Sequence, residues 1–524
     1  MRSLIRVVTS SESSARDAAA IGGGVPSRAL MQRAGAAAAA EVMLRYRDAL
    51  SAGVLVLAGP GNNGGDAWVV ARALSAAGAR VRVVEPVVAK TPDATAERAL
   101  ALPTLDPAHV VSGEIPEAFD CGEQLIVDGL LGTGATGEPR GLIADALAAA
   151  RSMRARGAII VALDIPSGLD ATTGEGNALP ADLTLTMGTM KRAHVLNREV
   201  CGGIAVLDIG LGPYVDVGDG APMLVDELWA APRIPVIAPS AHKGTRKKLA
   251  IIGGASGMAG AAILAARAAL RSGVGMVKLI VSHESLPAVQ EAEPHALAAL
   301  WPDTDKAFEH DVKSWADAVV IGPGLGRQKP SQELLERALR CWTGPTLLDA
   351  DAITLFEGRV SALSDRLGAR PALLTPHAAE FGRLAGRTVD DVLATRFDVG
   401  REISTALRAA VLLKGTPTVI TSADGQRLVS ATGTPALATA GSGDVLSGIA
   451  GTLLAQLGDP FVAGAIGAWI HGRAAERVPA TPEGSVRGIA LDDVIAELRD
   501  AWRFDERPTR YPVLVELPNL GGVR

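Results

Sequence analysis

The sequence predicts two consecutive α/β domains, each a largely parallel sheet with helices on both faces. Three observations carry this. The chain has 524 residues, and 48% of them are hydrophobic. Domains usually run about 100–200 residues, so two or three cores are expected. Short β-rich runs alternate with alanine-rich helical stretches, which is the grammar of a parallel sheet covered on both sides. That alternation occurs twice, with a lapse rich in proline and glycine between residues 211 and 240.

The elements follow in order. A helix is expected over residues 26–50. VLVLAG (54–59) is a continuous apolar run and reads as a buried parallel strand. GDAWVVARALSAAG (65–78) reads as a helix with a glycine stop. ARVRVVE, QLIVDGLLG, AIIVALDIPSG, LTLTMG and IAVLDIG read as further strands. The boundary falls in the lapse, near 225–240, giving domains over 1–225 and 226–504. The second block opens with KKLAIIGG (247–254). It continues through VVIGPGLG, TLLDADAIT, ALLTPHAAEF, AAVLLKGTPTVIT and ATAGSGDVLSGIAGTLL. The greasiest stretch (449–470) is broken by Asp459-Pro460, so two buried helices are expected there and not a membrane span. Residues 505–524 hold three prolines and carry no assignment.

Composition narrows the function. Basic residues number 51 and acidic residues 57, a net charge of −6. This gives no electrostatic reason to bind nucleic acid or an anionic membrane. The three cysteines, Cys121, Cys201 and Cys341, are far apart, which argues against a disulfide framework or a zinc site. With no long apolar run at the N-terminus, a cytoplasmic protein is expected.

Ligands in open α/β sheets bind outside the carboxyl ends of the strands, so the strand-end turns are the candidate sites. GPGNNGGDA (59–67) contains G-x-G-x-x-G at Gly59, Gly61 and Gly64, and Glu85 ends the next strand, about where a ribose-binding acid is expected. A dinucleotide turn and a bare tight turn both fit the glycines. Neither explains Asn62, Asn63 and Asp66 in the same turn, beside a helix N-terminus that favours phosphate. VDGLLGTGATGEPRG (127–141) puts Asp128 ahead of a glycine loop, and LDIPSGLDATTG (163–174) groups Asp164, Ser167 and Asp170. Asn63, Asp128 and Ser167 can together offer oxygen ligands to an alkali or alkaline-earth cation, although each alone suits a turn or cap.

In this order GPGNNGGDA, VDGLLGTG and DIPSGLD resemble the YjeF N-terminal family, the NAD(P)HX epimerases, over roughly residues 10–220. NAD(P)HX is NADH or NADPH that has added water to its nicotinamide ring. The resemblance implies a Rossmann-like domain that holds this substrate with Asn62, Asn63, Gly64, Gly65 and Asp66, with Gly132, Thr133, Gly134, Ala135, Thr136, Gly137 and Glu138, and with Asp164. It implies K+ on Asn63, Asp128 and Ser167, and Asp164 as proton shuttle. Ala67 stands where the family commonly has glycine. TLTMGTMKRAH (184–194) also matches, and its Lys191 is either a phosphate neutraliser or an exposed lysine.

In the second block AGSGDVLSGIAGTLL (440–454) is the strongest motif. Gly441 and Gly443 let backbone approach a phosphate, and Asp444 stands in the first helical turn, where it can take a proton from a hydroxyl. KGTPT (414–418) can hold nucleotide phosphates through Lys414 and backbone amides. IGPGLG (321–326) is another glycine turn. LTPHAAEF (374–381) places His377 and Glu380 past a strand. Asp349 and Asp351 can hold magnesium, or one can cap a helix. No Walker A motif occurs.

GMAGAAILAARAALRSGVG, GPGLG, DADAIT, TPHAAEF, LLKGTPT and GSGD resemble the YjeF C-terminal family over roughly 235–500. These are nucleotide-dependent NAD(P)HX dehydratases with a ribokinase-like fold. The resemblance implies that Ala261, Gly324, His377 and Asp444 contact the hydrated nicotinamide, and that Lys414, Gly415, Thr416, Pro417, Thr418 and Gly443 contact the adenine nucleotide. Asp444 is then the base, ADP the phosphoryl donor yielding AMP and phosphate, and Mg2+ its companion. The implied whole is a homo-oligomeric repair enzyme for NADHX and NADPHX. The alternative is a small-molecule kinase fused to a non-catalytic nucleotide-binding module.

Overall fold

The computed structural model describes residues 4–114, 122–214, 220–478, 487–504 and 509–520; Cys121 lies outside them. Cys201 and Cys341 are free thiols. The chain forms two compact units: one runs to Ala221 and takes up the C-terminal residues from Arg507, and the other begins at Pro222.

The first unit is built on an eight-stranded sheet among the described residues. Its order is 513–517, 203–207, 183–187, 159–163, 125–129, 54–58, 81–85, 110–112. Every pairing is parallel except the edge strand Val513–Leu517, which runs antiparallel to Gly203–Leu207. The apolar run Val54–Ala58 is buried along its whole length, as a strand covered on both faces must be. Val54, Val56 and Ala58 pack with Ala38 and Val42 of helix Ser27–Arg45 and Trp68 of helix Asn62–Ala76. Leu55 and Leu57 face helix Leu142–Ala155 on the other side. Strand order reverses at Val54–Ala58: the chain builds outward to 81–85, then returns to add 125–129 on its other edge. That switch point opens a crevice at the strand ends.

Three elements differ from the sequence reading. The N-terminal helix is two, Ser27–Arg45 and Arg47–Ser51, split at Tyr46. Ahead of it lies helix Ser10–Gly22, started by a capping box in which Thr9 Oγ1 accepts from Glu12 N at 3.2 Å and Glu12 Oε2 accepts from Thr9 N at 2.7 Å. The unassigned C-terminal stretch supplies the edge strand Val513–Leu517. Its Val513, Val515 and Leu517 are buried, Glu516 pairs with Arg45 at 2.7 Å, and Arg510 pairs with the buried Glu41 at 2.8 Å. A chain ending at residue 506 is therefore expected to lose at least ~3 kcal/mol in the first unit, since three apolar side chains leave its core. Chemical denaturation followed separately for the two units measures this, and an unchanged midpoint for the first unit refutes it.

The second unit carries a ten-stranded sheet among its described residues, in the order 223–224, 427–430, 418–421, 410–413, 372–374, 346–348, 318–321, 248–252, 276–281, 297–300. It is parallel except at Ala410–Leu413/Thr418–Thr421 and Thr418–Thr421/Arg427–Ser430. Alternation along Lys248–Ile252 divides the core. Leu249 and Ile251 meet helices Ala259–Arg271, Ser442–Leu457 and Pro460–Arg477, while Ala250 and Ile252 meet Lys329–Cys341 on the opposite face. The greasy stretch is two helices as expected, with Asp459 capping the second through Phe461 N (2.9 Å) and Val462 N (3.1 Å). No helix among the described residues is long and apolar enough to cross a membrane.

Candidate active sites

In the first unit the crevice is a cavity of about 520 Å3. Asn62, Asn63 and Asp66 line it from the start of helix Asn62–Ala76, Gly132, Thr133, Gly134 and Ala135 from the next loop, and Asp164 and Lys191 from the strand ends beyond. Gly64 and Gly65 lie beneath it. A Cβ on Gly64 would stand 1.8 Å from the Gly59 carbonyl oxygen, so only glycine lets this turn close on itself. Thr136, Gly137 and Glu138 continue the loop past the lining residues.

Asn63, Asp128 and Ser167 converge as expected. Ser167 Oγ donates to Asp128 Oδ1 at 2.6 Å and Ser167 N to Oδ2 at 2.9 Å, while Asn63 Nδ2 donates to Leu131 O at 2.9 Å. Asn63 Oδ1 is buried with no hydrogen-bond partner. The fully buried Asp128 has no ion-pair partner among the described residues, and burial pushes its carboxyl up although hydrogen bonds from Ser167 and Leu130 oppose this. An unmatched amide oxygen beside an uncompensated carboxylate suits a weakly demanding hard cation. Among the described residues no group of three or more His, Cys, Asp and Glu could cage a metal.

Asp164 adopts φ 61°, in the left-handed region. Its carboxylate pairs with Lys191 Nζ and accepts from Thr186 Oγ1 at 3.1 Å and Met187 N at 3.3 Å. Burial raises this carboxyl, but the Lys191 ammonium and the hydrogen bonds prevail and hold it below the usual carboxylate range. His194 fixes the backbone there. Its Nδ1 accepts from Lys191 N at 3.0 Å, so Nε2 carries the proton and donates to Asp164 O at 2.9 Å. Burial pushes His194 down to about 4, so it stays neutral. Two expectations are thereby corrected. Lys191 is no exposed lysine: it is 1% exposed and paired with Asp164 at the cavity wall. Glu85 is no ribose acid, because it is buried and its oxygens are taken by Arg98 (2.8 and 2.9 Å), Ser112 Oγ (3.1 Å) and Ala89 N (3.2 Å). Sequence reasoning missed Asp17, which reaches the cavity from helix Ser10–Gly22.

In the second unit the GSGD corner starts helix Ser442–Leu457, with Gly441 in the left-handed region at φ 93°. Lys414 Nζ pairs with Asp349 Oδ1 at 2.8 Å and lies 3.8 Å from Glu380 Oε2. A Cβ on Gly443 would stand 3.1 Å from Lys414 Nζ, which places the ammonium directly against this turn. Asp349 is buried and also accepts from Thr375 Oγ1 at 2.8 Å and Ser447 Oγ at 2.7 Å. Asp351 accepts from Gly326 N at 2.9 Å. Asp349 is thus held by Lys414 and two hydroxyls, and Asp351 is anchored by the Gly326 amide. In the 415–418 turn, Thr418 Oγ1 donates to Gly415 O at 3.0 Å, and Thr416 O, ahead of Pro417, accepts from Arg396. Ala261 and Gly324 adjoin: a Cβ on Gly324 would be 3.1 Å from Ala261 Cβ, and Leu264, one turn along, packs on Gly441. His377 caps helix Ala378–Ala385 through Nδ1, and its ring is exposed. A separate cavity of about 580 Å3 is lined by Arg267, Glu293, His295 and Asp492, and the corner does not touch it.

Asp444 is half-buried and pushed up to about 7, by burial first and then by the Asp349, Asp351 and Glu380 charges, against Lys414. If it works as a base, its rate dependence falls on the acid side. Asp349→Asn removes one raising charge and leaves Lys414 free to lower Asp444. The acid limb of kcat/KM is therefore expected to move below pH 7, and an unmoved limb in the pH profile contradicts this coupling.

The profile of a family described as NAD(P)H-hydrate dehydratase matches residues 249–497, and that of the YjeF-related protein N-terminus matches 27–193. The chain is 36% identical over 517 residues to the bifunctional NAD(P)H-hydrate repair enzyme Nnr of Salinibacter ruber, covering 92% of this chain and 94% of that one. It is 34% identical over 481 residues to the Escherichia coli enzyme of the same name, covering 90% and 88%. A crystal structure of ADP/ATP-dependent NAD(P)H-hydrate dehydratase from Bacillus subtilis, co-crystallized with ATP/Mg2+, is 29% identical with a TM-score of 0.47, covering 53% of this chain and 96% of that one. With both halves matched and relatives aligned along nearly their whole length, the chain belongs to the family of bifunctional NAD(P)H-hydrate repair enzymes.

Proposed function

We propose that the protein restores hydrated NADH and NADPH in two steps: the first unit interconverts the R and S epimers, and the second dehydrates the S epimer with ADP, releasing AMP and phosphate. The observation that carries this reading is Asp444, a carboxyl near neutrality in the first turn of a glycine-led helix, with the Lys414 ammonium against the same turn. Hydroxide is a poor leaving group, and a phosphate ester leaves far more readily. Asp444 takes the proton of the ring hydroxyl as that oxygen receives the terminal phosphoryl of the nucleotide. The amides of the GSGD corner and the helix N-terminus face the transferring charge. The lone pair of the ring nitrogen then expels phosphate and the reduced ring returns. The fused two-unit arrangement favours ADP over ATP as donor. Mg2+ would arrive with the nucleotide phosphates, since Asp349 is already ion-paired with Lys414.

In the first unit Asn63 Oδ1, Asp128 and Ser167 would hold K+, whose charge offsets the buried Asp128 carboxylate. Asp164, held ionised by Lys191, moves the proton of the substrate hydroxyl. The deciding experiment incubates purified protein with hydrated NADH and either ADP or ATP. Recovery of reduced-nicotinamide absorbance from both epimers, with AMP and free phosphate, is expected. A stable phosphorylated product would instead identify a kinase.

A further inference from the structure

We propose that Arg396 is a phosphate-binding residue of the second unit: its guanidinium takes a phosphate of the adenine nucleotide over the 415–418 turn. This rests on the dehydratase reading of that unit and supplies a cation that reading lacks. The nucleotide brings several negative charges to a corner where Asp349, Asp351, Glu380 and Asp444 gather around the Lys414 ammonium. That ammonium is already engaged, at 2.8 Å from Asp349 Oδ1 and 3.8 Å from Glu380 Oε2. A polyanion held there calls for a further positive charge that no carboxylate of the protein has neutralised.

Arg396 stands in the turn between helices Val389–Ala394 and Gly400–Leu407. The backbone around it is fixed. Asp398 N and Val399 N both donate to Thr395 O at 2.8 Å, Phe397 is buried, and Arg427 holds Phe397 O at 2.9 Å and the Asp398 carboxylate. From this base the side chain reaches the nucleotide turn, where NH1 donates to Thr416 O. A Cβ on Gly415 would meet Arg396 NH1 at 3.7 Å and NH2 at 3.8 Å, so the guanidinium overhangs the side that this glycine leaves open. Its bonding capacity is mostly unspent. Nε is buried with no hydrogen-bond partner, and NH2 donates to no protein group among the described residues. No carboxylate among the described residues stands within ion-pair distance, and Asp398, two positions along, is taken by Arg427. Burial lowers the basicity of the guanidinium with no neighbouring acid to oppose it. A half-buried cation without a counter-charge weighs against the fold, and an anion from outside relieves it. The planar fork of arginine matches two phosphate oxygens at once, which an ammonium cannot do.

The test is titration calorimetry of the full chain with ADP and, separately, with adenosine, which has the base and ribose but no phosphate. Arg396→Gln keeps an N–H for Thr416 O and removes the charge. It is expected to weaken ADP about 10–100-fold, the loss of one charge-assisted hydrogen bond, and adenosine by less than threefold. Added salt should weaken ADP less in this variant than in wild type, since one charge contact is gone. Arg396→Lys restores the charge without the fork and is expected to recover part of the affinity. A residue that only splints the turn would behave otherwise: ADP affinity would survive in Arg396→Gln, or adenosine would weaken as much as ADP. Either result overturns the assignment. The dehydratase reading fails separately, if wild type binds ADP yet returns no reduced nicotinamide from the hydrated coenzyme, and the calorimetry still decides Arg396.

Discussion

Asp444→Asn is expected to lower kcat/KM for dehydration by about 10²–10⁴-fold while ADP still binds. Asparagine keeps the volume and hydrogen-bonding outline of the side chain but cannot accept a proton. The nucleotide contacts expected from Lys414 and the 415–418 turn are untouched, because Lys414 is anchored by Asp349 and not by Asp444. The pH dependence has a definite sign. Asp444 is pushed up to about 7, so the ionised base accumulates as pH rises through that value. Wild-type kcat/KM is expected to reach a plateau above about pH 7 and to fall tenfold per pH unit below it. Stability moves the other way. A carboxyl whose folded pKa lies above its unfolded one loses stability as pH climbs through that window. Asp444→Asn removes the penalty, so at pH 8 the second unit is expected to melt higher than wild type while turning over poorly, a trade common to strained active-site groups. Unchanged turnover, or ADP affinity lost in step with turnover, contradicts the base assignment.

Much of this was legible in the sequence, for a physical reason. Central parallel strands are buried on both faces, so VLVLA and KLAII appear as unbroken apolar runs, and the motifs that follow them stand at the strand ends where ligands bind. Asn63, Asp128 and Ser167 were read as one oxygen set from three separate turns, and the structure brings them together. What escaped depends on long-range pairing. Lys191 meets Asp164 across 27 residues, and Lys414 meets Asp349 across 65. No local pattern distinguishes such a buried lysine from an exposed one. The edge strand Val513–Leu517 pairs with a strand some three hundred residues earlier. Its alternating VLVEL was a signal, set between two prolines, but a five-residue run says nothing of its partner. Helix Ser10–Gly22, and Asp17 with it, was also readable: Thr9 and Glu12 have capping-box spacing.

The Asp164–Lys191 pair links fold and chemistry in the first unit, and breaking it from one side is expected to harm both. Lys191 is 1% exposed, and its ammonium is held by the Asp164 carboxylate and by Thr186 Oγ1 at 3.0 Å. Asp164→Asn leaves that ammonium buried without its counter-charge, a change that typically costs about 3–5 kcal/mol. Asparagine also tolerates the left-handed φ of 61° better than most residues, so the loss reports charge and not backbone strain. Because the folded Asp164 lies below the usual carboxylate range, its contribution is fully present above the unfolded value and fades only as pH falls through the lower folded one. The deficit should therefore be constant across pH 5–8. Epimer interconversion is expected to be lost in the same variant, since the carboxylate paired with Lys191 is gone and asparagine cannot take the proton. The two effects separate in Asp164→Asn/Lys191→Met. Removing both charges restores most of the stability, because a neutral pair carries no desolvation penalty, and restores none of the epimerase activity. Denaturation midpoints and epimer exchange measured on the single and double variants decide it. Activity that returns together with stability would mean that Asp164 serves the fold alone.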